Sequence, residues 1–253
     1  MTRRVSKRKM RRREDFQLKE QLKIEEGVFD NRTMMMLGKM LTRGIISSMD
    51  FIIGKGKEAD VYIAEHGVKV DKEKVIVKIF RLETSSFSNR MDYIAGDPRF
   101  NGMRSNVMQI VNAWCKKEYG NLKVAEEAGA HAPIPYSFSG NVLAMEFIGE
   151  GGNPAPLLKD AGAVDPERAL GSVLDDIKAL YRNGLVHGDV SEYNLLMKGN
   201  IPYMIDFGQA VSTGHPKAAE FLRRDISNIT GFFRKRYSMD SNIESILEMV
   251  TGV

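Results

Sequence analysis

A single cysteine, Cys115, and a single tryptophan, Trp114, stand side by side in a chain of 253 residues. One thiol excludes an intramolecular disulfide framework, so the fold has to rest on its apolar core. The four histidines, His66, His131, His187 and His215, lie too far apart for a zinc-ligand spacing, and no structural metal is expected. Nowhere does an uncharged apolar run approach the roughly 20 residues that cross a bilayer, and the N-terminus has no hydrophobic signal core. A soluble cytoplasmic protein with no membrane partner is the expectation. Eight prolines and 23 glycines are near average usage, which excludes collagen-like and low-complexity chains. With 43% apolar and 28% charged residues, the chain suffices for one large domain or two small lobes that share a cleft.

Acid is missing from one stretch. Residues 1–13 hold Arg3, Arg4, Lys7, Arg8, Lys9, Arg11, Arg12 and Arg13 with no Asp or Glu. Taking those eight from the chain's 37 basic residues leaves 29 against 33 acids, so a formal net charge of +4 conceals a mildly acidic body and a cationic, disordered arm. Such an arm displaces counterions from a phosphate backbone, giving salt-dependent affinity with little sequence information. RNA is the expected contact; a solvated tail that only aids solubility is the plainer alternative.

Residues 14–44 read as a helical extension, broken around Gly27, Asp30 and Asn31. Three β-rich runs follow at 45–53, 60–65 and 74–80, separated by glycine-bearing turns, and predict an antiparallel meander. The polar, aperiodic stretch 82–105 predicts a long mobile loop. A helix is expected over 106–128, its buried stripe formed by Val107, Ile110, Val111, Trp114, Leu122 and Ala125. Glu118 falls on that stripe, where a carboxylate is costly unless a cation meets it. Strands near 135–138 and 142–148 come next. A helix over 166–183 should bury Leu170, Leu174, Ile177 and Tyr181, and helices near 216–236 and 241–250 close the chain. The predicted class is α+β, with a small antiparallel β-rich lobe at 45–148 and a reduced helical lobe at 149–253.

The chemistry concentrates in the second half. His187, Asp189 and Asn194 form H-x-D-x-x-x-x-N, and Asp206-Phe207-Gly208 forms D-F-G twelve residues after the asparagine. Phosphoryl transfer from ATP needs these residue types. A metal ion that bridges phosphates takes hard oxygens, here from Asn194 and Asp206, and a second carboxylate, Asp189, orients the acceptor and takes its proton. His187 is expected to pack and orient this loop, and Cys115 to be inert filler. The first half supplies Gly54-Lys55-Gly56, which opens a G-x-G-x-x-G-x-V pattern with Ala59 in the last glycine position, for close approach of backbone N–H groups to phosphates. Lys78 in V-I-V-K-I is an inward cation on a strand and the expected partner of Glu118. Glu146 and Ile148, at the end of an apolar strand, are assigned by position to the edge of adenine. The cofactors expected are ATP and Mg²⁺, with Mn²⁺ as an acceptable substitute.

This ensemble resembles the atypical serine/threonine protein kinases of the Rio family. L-V-H-G-D-V-S-E-Y-N, I-D-F-G-Q-A and G-K-E-A-D-V-Y look like its Rio-one branch in archaeal form, over residues 45–240. The chain departs from the family in carrying Gly54 and Lys55 where a serine-threonine pair often precedes the phosphate loop. The resemblance implies a two-lobed kinase-like fold, autophosphorylation, and an ATPase cycle in maturation of the small ribosomal subunit, with the arm as a tether to its rRNA. It further implies that Asp206 accepts phosphate as an aspartyl-phosphate intermediate. Only 47 residues follow Asp206, without an A-P-E motif, which leaves little chain for a peptide-docking groove. Autophosphorylation is expected within 82–105, at Ser85, Ser86, Ser88 or Ser105. Two other readings share some of these residues: a small-molecule phosphotransferase, and a non-catalytic RNA-bound scaffold.

Overall fold

The three β-rich runs form strands, the third of them being buried on both of its faces. A computed structural model describes residues 29–72, 74–82 and 106–252. In it the runs become β1 (Ile46–Lys55), β2 (Ala59–His66) and β3 (Lys74–Phe80), joined by β4 (Pro135–Ser139) and β5 (Val142–Glu146). They form one five-stranded sheet in the order β1-β2-β3-β5-β4, with antiparallel pairing of β1 to β2, β2 to β3 and β3 to β5. In β3, Val75, Val77 and Ile79 lie on one face and Ile76, Lys78 and Phe80 on the other, and all but Lys74 are buried.

The first of those faces is covered by α1 (Asn31–Thr42). Met34, Leu37 and Met40, at three-residue steps along the helix, share a core with Ile46, Met49, Ala64, Val75, Val77, Val142 and Ala144. Asp30 starts the helix: its carboxylate accepts from the backbone N–H of Arg32 at 2.8 Å and of Thr33 at 3.0 Å, and from the Thr33 hydroxyl at 2.8 Å. Asn141, in the turn between β4 and β5, then fastens helix to sheet, donating to Thr33 Oγ1 at 3.1 Å and to the Phe80 carbonyl at 3.0 Å.

The remaining elements are α2 (Val107–Glu127), the short pair β6 (Gly149–Glu150) and β7 (Asn153–Pro154), α3 (Leu158–Ala161), α4 (Pro166–Arg182), β8 (Leu185–Val186), β9 (Leu195–Lys198), β10 (Ile201–Met204), β11 (Val211–Ser212), α5 (Ala218–Tyr237) and α6 (Ile243–Thr251). β9 and β10 form a hairpin, and β8 pairs antiparallel with β11, so the segment between them returns to where it began. The buried face of α4 is Ala169, Leu170, Val173, Asp176, Ile177 and Leu180. Leu174 and Tyr181, expected inside, are half-buried, because the stripe centres one residue earlier and admits Asp176, which accepts from the backbone and ring of His131 at 3.1 Å. None of the described helices is long and apolar enough to cross a membrane.

The chain divides into two compact units. One unites the described residues up to Leu82 with Tyr136–Glu146; the other unites those from 106 to Pro135 with Phe147 onward. Helix α2, which sequence order puts between β3 and β4, groups with the second unit, where Lys117 and Asn121 bind backbone carbonyls at 207–210. The cationic arm and the serines of the expected loop lie outside the described residues.

The Asp30 cap yields a test of the first unit. Although partial burial acts to raise it, the carboxyl is held below its usual range by the Thr33 and Arg32 donors. Its contribution is therefore present above the unfolded-state pKa and lost as pH falls through the lower folded value. Asp30→Ala should lower stability by about 1 kcal/mol in urea unfolding at pH 7, with the deficit shrinking below about pH 4.

Candidate active site

The segment leaving β8 carries His187-Gly188-Asp189, and its backbone is held from α5. The N–H groups on either side of Asp189, those of Gly188 and Val190, donate to Asp225 Oδ2 and Oδ1 at 2.7 and 3.0 Å. Arg224 donates to the Gly188 carbonyl. Gly188 has a φ of +78°, and a Cβ there would sit 3.3 Å from the Gln209 carbonyl, so glycine suits both the backbone and the space. Burial pushes the Asp225 carboxyl up to about 7, against the opposing pull of the Val190 and Gly188 donors and the Arg224 charge.

Asp189 is then fixed by amides. Asn194 Nδ2 lies 2.9 Å from both the Asp189 carbonyl and Asp189 Oδ2, which consumes both amide hydrogens and leaves the Asn194 carbonyl oxygen as an uncommitted acceptor. Gln209 Nε2 donates to the same carboxylate oxygen at 3.2 Å.

Asp206 adopts a φ of +65°, one of two left-handed residues other than glycine among those described. For a side chain with a Cβ this conformation costs about 1–2 kcal/mol, and the flanking residues hold it in place. Ile205 N–H donates to the Asn194 backbone carbonyl at 3.0 Å, and His187 Nε2 donates to the Ile205 carbonyl at 3.2 Å. Phe207 is fully buried and meets the His187 ring edge-on at 4.6 Å. Asn121 donates to the carbonyls of Phe207 and Ala210 at 2.8 and 3.0 Å, and Lys117 to that of Gly208 at 3.0 Å. A Cβ on Gly208 would lie 2.8 Å from Trp114 Nε1 and 3.4 Å from Glu118 Oε2, so only glycine lets α2 approach this closely. Asp189, Asn194, Asp206 and Glu118 are thereby brought together within the second unit, with Asp206 exposed and Glu118 buried.

His187 is neutral. Burial drives its pKa down to about 4, although the Asp206 charge and the Ile205 carbonyl act to raise it. With the proton on Nε2, Nδ1 is a bare lone pair, and it has no partner among the described residues. The ring braces the loop through the Ile205 carbonyl and the Phe207 ring.

The first unit holds the other predicted residues. Gly54 and Lys55 end β1 opposite Val61 and Asp60, after a register shift, and Gly56 turns the chain by donating to the Ala59 carbonyl at 2.9 Å. Lys78 is 8% exposed, on the β3 face opposite α1, with its ammonium 5.2 Å from the Phe80 ring centroid. Glu146 closes β5 opposite Val75, its carboxylate 3.6 Å from Lys72, and belongs to the first unit. Ile148 belongs to the second unit, where its carbonyl accepts from Ala155 N–H at 3.0 Å. Lys78 and Glu118, the pair expected from the sequence, belong to different units.

A family model described as "RIO domain" matches residues 60–246. The chain belongs to the RIO family of serine/threonine protein kinases. This RIO kinase is 40% identical to the RIO-type serine/threonine-protein kinase Rio1 of Haloferax volcanii, over 98% of this chain and 86% of that one. It is 42% identical to Rio1 of Methanocaldococcus jannaschii, over 92% of this chain and 79% of that one. Among solved structures it is similar to the Rio2 kinase of Chaetomium thermophilum, 25% identical with a TM-score of 0.66, covering 88% of this chain and 71% of that one. A second structure of that protein, an ADP/Mg²⁺-phosphoaspartate complex, matches at 24% identity, with the same TM-score, over 91% of this chain and 71% of that one. The expected α+β kinase-like class, an antiparallel sheet followed by helices, is the fold of the RIO kinase.

Lys117, Asn121, Gln209, Arg224 and Asp225 were not among the predicted site residues, yet they hold the Asp189 and Asp206 segments. Lys117 and Asn121 carried a signal around Glu118: polar residues at three- and four-residue steps along an otherwise apolar stripe. Asp225 carried the same signal on α5, between Leu222 and Ile226.

Asp225 and His187 make opposite predictions for the pH dependence of stability. The raised Asp225 pKa removes stability as pH climbs from about 4, where the unfolded carboxyl ionises, to about 7. The depressed His187 pKa removes stability as pH falls from about 6.5 to about 4. In urea unfolding across pH 4–8, the deficit of Asp225→Asn relative to wild type should therefore shrink as pH rises through this window. That of His187→Gln should shrink as pH falls. Parallel profiles for the two variants would contradict both assignments.

Proposed function

We propose that this RIO kinase binds ATP with Mg²⁺ in a site whose chemical groups are Asp189, Asn194 and Asp206, and that it both phosphorylates itself and hydrolyses ATP. The observation that carries the reading is the amide clamp: Asn194 locks Asp189 through nitrogen and keeps its carbonyl oxygen available, while its backbone carbonyl holds the residue before Asp206. That side-chain carbonyl and the Asp206 carboxylate form a donor set of two hard oxygens. No cluster of three or more His, Cys, Asp or Glu side chains able to hold a metal occurs among the described residues. Two oxygens completed by phosphate and water suit Mg²⁺, which when bound neutralises charge on the phosphates.

Asp189 orients the attacking hydroxyl or water and accepts its proton. Gly54, Lys55, Gly56 and Lys78 are the phosphate-binding candidates of the first unit, and Glu118 is a further candidate in the second. Asp206 is also the acceptor of an aspartyl-phosphate intermediate. The neighbour described as a phosphoaspartate complex supports this step, as does the exposed, left-handed Asp206. The arm tethers the enzyme to the rRNA of a small-subunit precursor, and its eight cations without an acid support that role.

With Mg²⁺ and ATP, ADP formation by Asp189→Asn and by Asp206→Asn should fall by about 10²-fold or more. Chelation with EDTA should do the same, and Lys78→Ala should weaken turnover at limiting ATP. Turnover indistinguishable from wild type in both aspartate variants would remove the enzymatic reading. Phosphopeptide mapping should place stable phosphoserine within 82–105; marks confined to other segments would reject that site. Deleting residues 1–13 should weaken binding to small-subunit precursor RNA and flatten its dependence on salt, the log–log slope becoming shallower by up to roughly 0.7–0.9 for each phosphate that the arm neutralises. An unaltered slope would assign RNA binding elsewhere.

A further inference from the structure

A site that serves both transfer and hydrolysis meets two nucleophiles, a hydroxyl with one hydrogen and water with two. Gln209 immediately follows Asp206-Phe207-Gly208 and is half-buried. Its Nε2 donates to Asp189 Oδ2 at 3.2 Å, the oxygen that Asn194 engages at 2.9 Å. The reverse amide orientation would set two acceptors face to face, so the nitrogen belongs against the carboxylate and the carbonyl Oε1 occupies the other limb of the carboxamide. That carbonyl has no hydrogen-bond partner among the described residues. An anionic acceptor and a neutral acceptor are therefore held side by side. Water gives one hydrogen to each. An alcohol has a single O–H and gains nothing from the second.

We propose that Gln209 is the water-positioning residue of this site, acting beside Asp189 to favour hydrolysis of ATP over transfer to hydroxyl groups. The inference rests on the reading of Asp189 as the group that orients the nucleophile. In the step, the water oxygen bonds to the phosphorus of the aspartyl-phosphate on Asp206, formed when ATP gave up its terminal phosphoryl group and left as ADP, as the bond from that phosphorus to the Asp206 carboxylate oxygen breaks. The electron pair of the broken bond returns to the Asp206 carboxylate. One water proton passes to the Asp189 carboxylate, and the other stays on the new phosphate oxygen, held until then by the Gln209 carbonyl. Nothing is oxidised or reduced. Gln209 exchanges no proton, as suits a neutral amide that orients water near a phosphoryl group.

The test measures, in the same samples of full-length protein with Mg²⁺ and ATP, the phosphate released and the phosphate incorporated into the chain. Gln209→Ala should lower the ratio of release to incorporation by about tenfold or more. A ratio is insensitive to a decrease in folded protein that scales both outputs together. Gln209→Glu keeps an acceptor oxygen but sets a second carboxylate against Asp189, so the two share one proton with a raised apparent pKa. Release by this variant should then show a falling limb with rising pH that wild type lacks. Equal decreases of both outputs in Gln209→Ala, or a wild-type pH profile in Gln209→Glu, would overturn the proposal and leave Gln209 as a brace for Asp189. Wild-type levels of both outputs in Asp189→Asn would instead overturn the underlying reading of Asp189.

Discussion

A carboxylate proposed to orient a reacting nucleophile cannot be left to rotate, and hydrogen bonds within the second unit fix Asp189. Asn194 and Gln209 both donate to Oδ2 of Asp189, and Asn194 also binds its backbone carbonyl. Hydrogen bonds to an ionised group contribute about 1.5–3 kcal/mol each, enough to select one rotamer of a short side chain. The clamp joins two separated stretches of sequence, so it forms only if residues 187–194 and 205–210 meet in register. The antiparallel pairing of β8 with β11 and the bond from Ile205 to Asn194 supply that register.

The clamp is carried by buried polar groups whose removal from water is costly. Lys117 and Asp225 are 2% and 1% exposed, positions at which an unpaired charge would cost several kcal/mol. Each is bound to backbone. Lys117 meets the Gly208 carbonyl and lies 4.7 Å from the Trp114 ring centroid, and Asp225 takes the N–H groups of Gly188 and Val190. Backbone partners at fixed positions make these contacts specific. A one-residue slip in α2 or α5 would strand the charge. The same pattern holds Asp206 in its left-handed turn, because the carbonyls on both sides of it are engaged by His187 and Asn121.

The first unit is built on different terms. Its sheet is held by a mainly apolar face under α1, and its polar fastenings, Asp30 at the helix start and Asn141 between two strands, act on structure. On the opposite face β3 presents Lys78 between Ile76 and Phe80, so the cation emerges from a wall of apolar neighbours. A rigid strand suits the role proposed for Lys78, placing one positive charge at one point.

Strand and helix positions were legible within one to three residues because alternation and three-to-four spacing are local properties of the chain. Asp189, Asn194 and Asp206 could be picked out by residue type and interval, and hydrogen bonds bring their segments together in the second unit. The α4 face was misjudged at Leu174 and Tyr181, since which residues of a wide stripe turn inward depends on the neighbour; here Asp176 is drawn in by His131. Glu118 could be suspected from the cost of its burial alone, whereas Lys117 and Asn121 took their meaning from carbonyls 86–91 residues away. Intervals between chemical groups are written along a chain and can be read there. Which backbone atom answers a buried charge is set by the packing of distant segments, and only the folded chain brings those atoms within a hydrogen bond's length.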